Sequence, residues 1–172
     1  MRTILSALLC IILMASCNPD TQECYVPKTV TAQIGFTIID TVFAKDQLGR
    51  DSIYVRVIDT PLNYPSLRSL DNDTVIRFMG VFKGTQLPIM FNPETDQIRY
   101  QFQPDSTKPV YDTVTLHYDH NYHFISNACG YTYYYNIKNV EITHNLLDSV
   151  RINAPEVTQS AQNKHVILYF ID

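Results

Sequence analysis

His117, His120 and His123 form the densest set of metal-binding side chains in the sequence. With a tight turn at Asp119-His120-Asn121, His117 would face His123 across a hairpin, on the side shared with Thr113 and Thr115. Two imidazoles and Asp119 could hold Zn²⁺, yet a firm site takes four ligands, or three and a water. Exposed strand and turn residues are therefore the simpler expectation. Asp71-Asn72-Asp73 opens like a calcium-binding loop but lacks the Gly and terminal Glu such a loop needs. No metal or other cofactor is expected. Catalysis is not expected either: G-x-S-x-G, H-E-x-x-H and Gly-rich phosphate-loop patterns are absent, and there are only 5 Gly. Strand alternation over Tyr131-Thr132-Tyr133-Tyr134-Tyr135 puts Tyr131, Tyr133 and Tyr135 on one face. Flat rings with polar tips suit contact with a partner protein or a glycan, although burial of one tyrosine set in a core is the competing outcome.

Four cysteines divide by position. Ile4 to Met14 is an apolar run behind a single basic residue, Arg2, long enough for a signal-peptide core and too short to span a membrane. It ends in Leu13-Met14-Ala15-Ser16-Cys17, which resembles the bacterial lipobox. By that resemblance the chain is cut after Ser16 and Cys17 carries the lipid, a firm anchor because each buried CH₂ is worth about 0.8 kcal/mol. Asn18 in place of Asp after Cys17 points to the outer membrane, on its periplasmic face or at the cell surface. Cys10 leaves with the signal, so Cys24 and Cys129 remain and are expected to pair in an oxidising compartment. The organisation expected is a signal peptide at 1–16, a lipid-anchor tether at 17–28 and one domain at 29–172.

Asp is followed by Ser or Thr at 8 of 13 positions, where chance gives about two. Five of these continue into a β-branched aliphatic residue: Asp40-Thr41-Val42, Asp51-Ser52-Ile53, Asp73-Thr74-Val75, Asp112-Thr113-Val114 and Asp148-Ser149-Val150. Asp closing a turn before a β-branched strand start explains part of the excess. The triplets also resemble the O-glycosylation acceptor of exported Bacteroidota proteins, which makes Thr41, Ser52, Thr74, Thr113 and Ser149 candidate modification sites at strand starts.

The elements that would carry these side chains are strands. No window holds an amphipathic helical stripe beyond two turns, whereas period-2 alternation recurs at 30–41, 52–58, 74–83, 97–102, 113–118, 122–128, 131–142, 149–152 and 165–171. Turn residues at 46–49, 92–96, 104–106, 119–121 and 153–155 separate them, and 60–73 is expected to be a crossing loop with at most one helical turn. The expected fold is all-β, an antiparallel β-sandwich of about eight or nine strands, immunoglobulin-like or similar, with a barrel second. At 172 residues, one core suffices. A net charge of −4 with no basic cluster argues against nucleic acid.

Cys17, nearby Cys24, Leu87-Pro88-Ile89 before Asn92-Pro93, Ala128-Cys129-Gly130 and the ending Ile167 to Phe170 together resemble an uncharacterised Bacteroidota lipoprotein family, the domain of unknown function 6452. The resemblance spans the mature chain and implies no known activity. The function expected is that of a non-catalytic, lipid-anchored cell-envelope protein working through protein contacts, as an accessory to an outer-membrane β-barrel. The alternative is a glycan-binding surface lipoprotein using exposed tyrosines.

Overall fold

The computed structural model describes residues 23–71, 75–77, 81–82, 84–159 and 163–170. Among these there is no helix, and strands supply the whole framework. They are β1 (Thr31–Lys45), β2 (Asp51–Asp59), β3 (Leu62–Asn63), β4 (Ser66–Ser69), β5 (Val75–Arg77), β6 (Val81–Phe82) and β7 (Gln86–Met90). The second half adds β8 (Gln97–Gln103), β9 (Asp112–Ser126), β10 (Gly130–Ile142), β11 (Leu147–Ile152), β12 (Glu156–Val157) and β13 (Val166–Phe170).

Two sheets pack face to face. One runs β11-β13-β1-β2, with β7 also paired to β1; the other runs β12-β10-β9-β8-β4-β5, and β3 with β6 forms a small ribbon. Strand alternation sends one side of each sheet into a common core. β1 contributes Ala32, Ile34 and Phe36, β8 contributes Ile98, Tyr100 and Phe102, and β9 contributes Val114, Leu116 and Tyr118, all buried. Phe36 stacks on Phe102 across the sheets at 5.2 Å, and Phe91 stacks on Tyr135 at 4.6 Å. Burying each such side chain contributes about 1.5–3 kcal/mol.

Tyrosine hydroxyls tie the sheets together at the polar margin of that core. The Tyr100 hydroxyl donates to the Met90 carbonyl at 2.6 Å and accepts from the Met90 amide at 3.2 Å. Tyr118 treats Asn92 the same way, donating at 2.8 Å and accepting at 3.2 Å. These bonds satisfy backbone groups at and just past the end of β7 that would otherwise be desolvated. Burial pushes the Tyr100 hydroxyl up to about 12, so both phenols remain donors.

The all-β sandwich expected from alternation is what the chain forms, with four corrections. First, Asp119-His120-Asn121 is no turn: β9 runs straight through it, because 114, 116, 118, 120, 122 and 124 keep one face and β10 pairs with the whole length. The chain reverses instead at Asn127-Ala128-Cys129, where Gly130 takes φ +71°, a conformation that disfavours residues with a Cβ. Second, 74–83 is not one strand, since β5 joins β4 while β6 joins β3. Third, the expected loop at 60–73 is no plain loop, and its described residues, 60–71, hold no helical turn; β4 crosses it and pairs with β8, its buried Ser66 and Ser69 having masked the pattern. Fourth, the sheets are not wholly antiparallel, because β13 returns parallel to β1 from Ile34↔Val166 to Ile38↔Phe170.

Candidate functional site

β1 is longer than its core needs. β7 pairs with Thr31–Gly35 and β13 with Ile34–Ile38, whereas from Ile39 to Lys45 its only paired strand among the described residues is β2. The two therefore leave the sandwich as a ribbon. Its turn is well made: the Asp46 carboxylate accepts from the amides of Leu48 and Arg50 at 2.8 and 2.9 Å and from Arg50 Nε at 2.8 Å. Those bonds, led by the Arg50 amide, hold its pKa below the usual carboxylate value. Gly49 takes φ +76° to close the loop.

The side chains on this ribbon are apolar even on the face turned away from the core. Facing pairs Ile39↔Val57, Thr41↔Val55 and Phe43↔Ile53 continue the outer face of the sheet, the side opposite the core. Phe43, Ile53, Val55 and Val57 are nonetheless 62–77% exposed. The other face carries Val42, Tyr54 and Ile58 together with the Asp40–Arg56 ion pair at 2.6 Å. A contiguous apolar strip on the solvent side of a two-stranded ribbon is characteristic of a contact surface. Sequence reasoning missed it because alternation marks an apolar face without saying whether anything covers it.

A second hairpin projects from the opposite end. β8 pairs with β9 only from Asp112 to His117, so the distal parts of β9 and β10 extend past the core. Tyr122 faces Tyr133, and Phe124 faces Tyr131. The Tyr133 hydroxyl bonds the Tyr122 hydroxyl, and the Phe124 and Tyr131 rings lie 5.2 Å apart. Of the three candidate tyrosines, Tyr131 is exposed and Tyr133 is half-buried. Tyr135 is a core residue, packed on Phe91 and Tyr118, with its hydroxyl pushed up to about 12 by burial. It is withdrawn from any partner or glycan contact.

The N-terminal segment is fastened to this hairpin. Cys24 and Cys129 form a disulfide, their Cα atoms 4.9 Å apart, and Cys129 lies in the β9–β10 turn. Thr132 Oγ1 donates to the Lys28 carbonyl at 2.5 Å and Gln159 Nε2 to the Pro27 carbonyl at 3.2 Å. Cys17 lies outside the described residues.

The histidines do not converge. His117 and His123 lie on one strand six residues apart, about 20 Å, rather than opposite each other. His117 meets Glu141 at 3.3 Å, His120 packs on Tyr133 at 5.5 Å and His123 stacks on Tyr134 at 4.0 Å. Among the described residues no group of three or more His, Cys, Asp or Glu is arranged to hold a metal. Asp71 is instead engaged with Arg99, accepting from its guanidinium at 2.7 Å and its amide at 2.6 Å, which lowers the carboxyl pKa. Asn72 and Asp73 lie outside the described residues.

The Asp-Ser/Thr triplets separate by position. Thr41 is well inside β1, exposed on the ribbon's outer face, and so is not a strand start. Ser52, Thr113 and Ser149 sit near the starts of β2, β9 and β11 and are half-buried, while Thr74 lies outside the described residues. Asp112 shows the structural use of the motif. Fully buried, it accepts from the amides of Asn145, Leu146 and Leu147 at 2.8, 2.7 and 3.0 Å and from Thr143 Oγ1 at 2.6 Å. It thereby closes the β10–β11 loop. Buried His165 does similar work: its Nδ1 accepts the Gln33 amide at 3.0 Å, and burial lowers its pKa, keeping it neutral.

No curated protein and no solved structure matches this chain. Residues 30–170 match the family of unknown function DUF6452, the span running from the entry to β1 through the end of β13. The chain belongs to the DUF6452 family.

Proposed function

We propose that this is a non-catalytic, lipid-anchored protein of the cell envelope that works by holding a partner protein on the β1–β2 ribbon. The exposed apolar strip of Phe43, Ile53, Val55 and Val57 carries the proposal. Such side chains supply interface anchors once desolvated, and the Lys45–Asp51 pair at the end of the strip supplies a polar margin. Among the described residues β2 is the last strand of its sheet, and its outer edge adds backbone groups that a partner strand can complete. Lipidation at Cys17 would tether the other end, where Cys24 is bonded to Cys129, so the ribbon would point away from the bilayer. The partner we favour is the periplasmic or extracellular portion of an outer-membrane β-barrel protein.

Affinity capture from native membranes after mild detergent extraction tests this. One stoichiometric membrane partner is expected, and the Phe43→Asp, Val55→Asp double variant should lose it while remaining folded. Capture of the same partner by that variant, or retention on glycan arrays with no protein partner, would contradict the proposal.

A further inference from the structure

The distal β9–β10 hairpin has a composition unlike the rest of the chain. From His120 to Ile137, eighteen successive residues contain no Asp, Glu, Lys or Arg, in a protein whose charged fraction is 17%. The β1–β2 ribbon, by contrast, carries six charged residues between Ile39 and Ile58. Tyr122 and Tyr131 are 70% and 63% exposed at the hairpin, with Phe124 between them. Tyr25, beside the disulfide that fastens the N-terminal segment to the same turn, is 85% exposed.

We infer that this hairpin rests on the lipid bilayer, with Tyr25, Tyr122, Phe124 and Tyr131 at the headgroup level. Tyrosine favours that boundary, where its ring leaves water and its hydroxyl stays hydrated, and the Phe124 ring gains by leaving water beside it. A hairpin without Asp, Glu, Lys or Arg loses less on approaching lipid than one that carries them, because such charges are costly to desolvate. Geometry supplies the proximity. Six residues lie between Cys17 and Cys24, so the seven steps along the chain reach at most about 25 Å. The disulfide then places the hairpin turn at the end of that tether. Held so close, rings that would bind lipid only weakly from solution meet it at high effective concentration. The inference rests on the lipid anchor of the proposed function and assigns the hairpin a task separate from the partner-binding ribbon: it sets how the domain stands on the membrane.

The chain has no Trp, so a single substitution provides an unambiguous emitter. The full lipidated chain carrying Phe124→Trp is reconstituted in phosphatidylethanolamine and phosphatidylglycerol vesicles, with or without brominated acyl chains, and compared with Phe43→Trp on the ribbon. Flotation of the same samples reports the anchor. Brominated lipid should cut Phe124→Trp emission to less than half, with a blue shift, and leave Phe43→Trp unchanged. Flotation without quenching at Phe124→Trp would overturn the inference while leaving the anchor standing. Failure to float would remove the anchor and the inference together. Shielding of Phe124→Trp from aqueous quencher only in native membranes, and not in vesicles, would overturn it in favour of a protein partner there.

Discussion

Replacing Asp112 with Asn changes one atom and should cost much of the domain's stability. The carboxylate is buried, and its Oδ2 accepts from two backbone amides, Leu146 at 2.7 Å and Leu147 at 3.0 Å. Oδ1 accepts from Thr143 Oγ1 at 2.6 Å and the Asn145 amide at 2.8 Å. An Asn keeps one carbonyl for the second pair and turns an NH₂ toward the first, leaving two buried donors facing a donor. A buried donor without an acceptor costs about 1–3 kcal/mol, so Asp112→Asn should lose about 2–5 kcal/mol. For a domain of this size that lowers Tm by about 5–15 °C. Urea denaturation followed by far-ultraviolet circular dichroism gives the free energy, and an unchanged m-value would show that the denatured state is not the cause. Thr113→Val keeps the Thr113 amide bond to Thr143 and should stay within about 0.5 kcal/mol of wild type. A loss under about 1 kcal/mol for Asp112→Asn would refute the assignment of this carboxylate as the clasp of the β10–β11 loop.

Three further outcomes follow from other parts of the chain. Cys24→Ser opens a bridge between residues 105 apart and should destabilise the domain by about 4–5 kcal/mol on the chain-entropy account, seen as equal unfolding midpoints for the variant and the reduced wild type. His165 has its folded pKa below 6.5, so between those values the unfolded chain binds the extra proton; stability should fall as pH drops through 6.5 and level off below the folded value, and His165→Gln should flatten that slope in melts across the range. Protein from native membranes should exceed its sequence mass by the lipid and by glycan at Ser52, near the start of β2 on the ribbon face away from Phe43 and Val55; intact-mass spectrometry of Ser52→Ala should show the glycan lost, and an unchanged mass would leave that triplet as strand chemistry.

Alternation made the sandwich legible because it reports which side chains share a face, and Ile98, Tyr100 and Phe102 bury as their spacing requires. Turns encoded within four residues were equally legible, as at Asp46 to Gly49. Cysteine counting identified the partners Cys24 and Cys129 because few thiols remained to pair. Information that belongs to pairs of distant segments was not legible. The turn chemistry of Asp119-His120-Asn121 yielded to a continuous ladder with β10, in which Asp119 finds Lys138 at 2.7 Å. The parallel return of β13 along β1 leaves no local trace, and neither do the hydroxyl bonds from Tyr100 and Tyr118 to Met90 and Asn92. The candidate surface was read at the wrong tyrosine for the same reason: period-2 spacing put Tyr135 with Tyr131 but could not tell where the opposing sheet stops.

Photo-crosslinking from position 55 in cells that make the protein natively tests the central claim most directly. Val55 lies mid-ribbon, exposed on the apolar face, and a photoreactive side chain there adds reach without disturbing the core. A single discrete adduct with one envelope protein, abolished by Phe43→Asp and absent from a probe at exposed Lys138 on β10, is the predicted result. Cells in which the probe at 55 gives no adduct, or the same diffuse products as the probe at 138, would contradict a partner held on the β1–β2 ribbon.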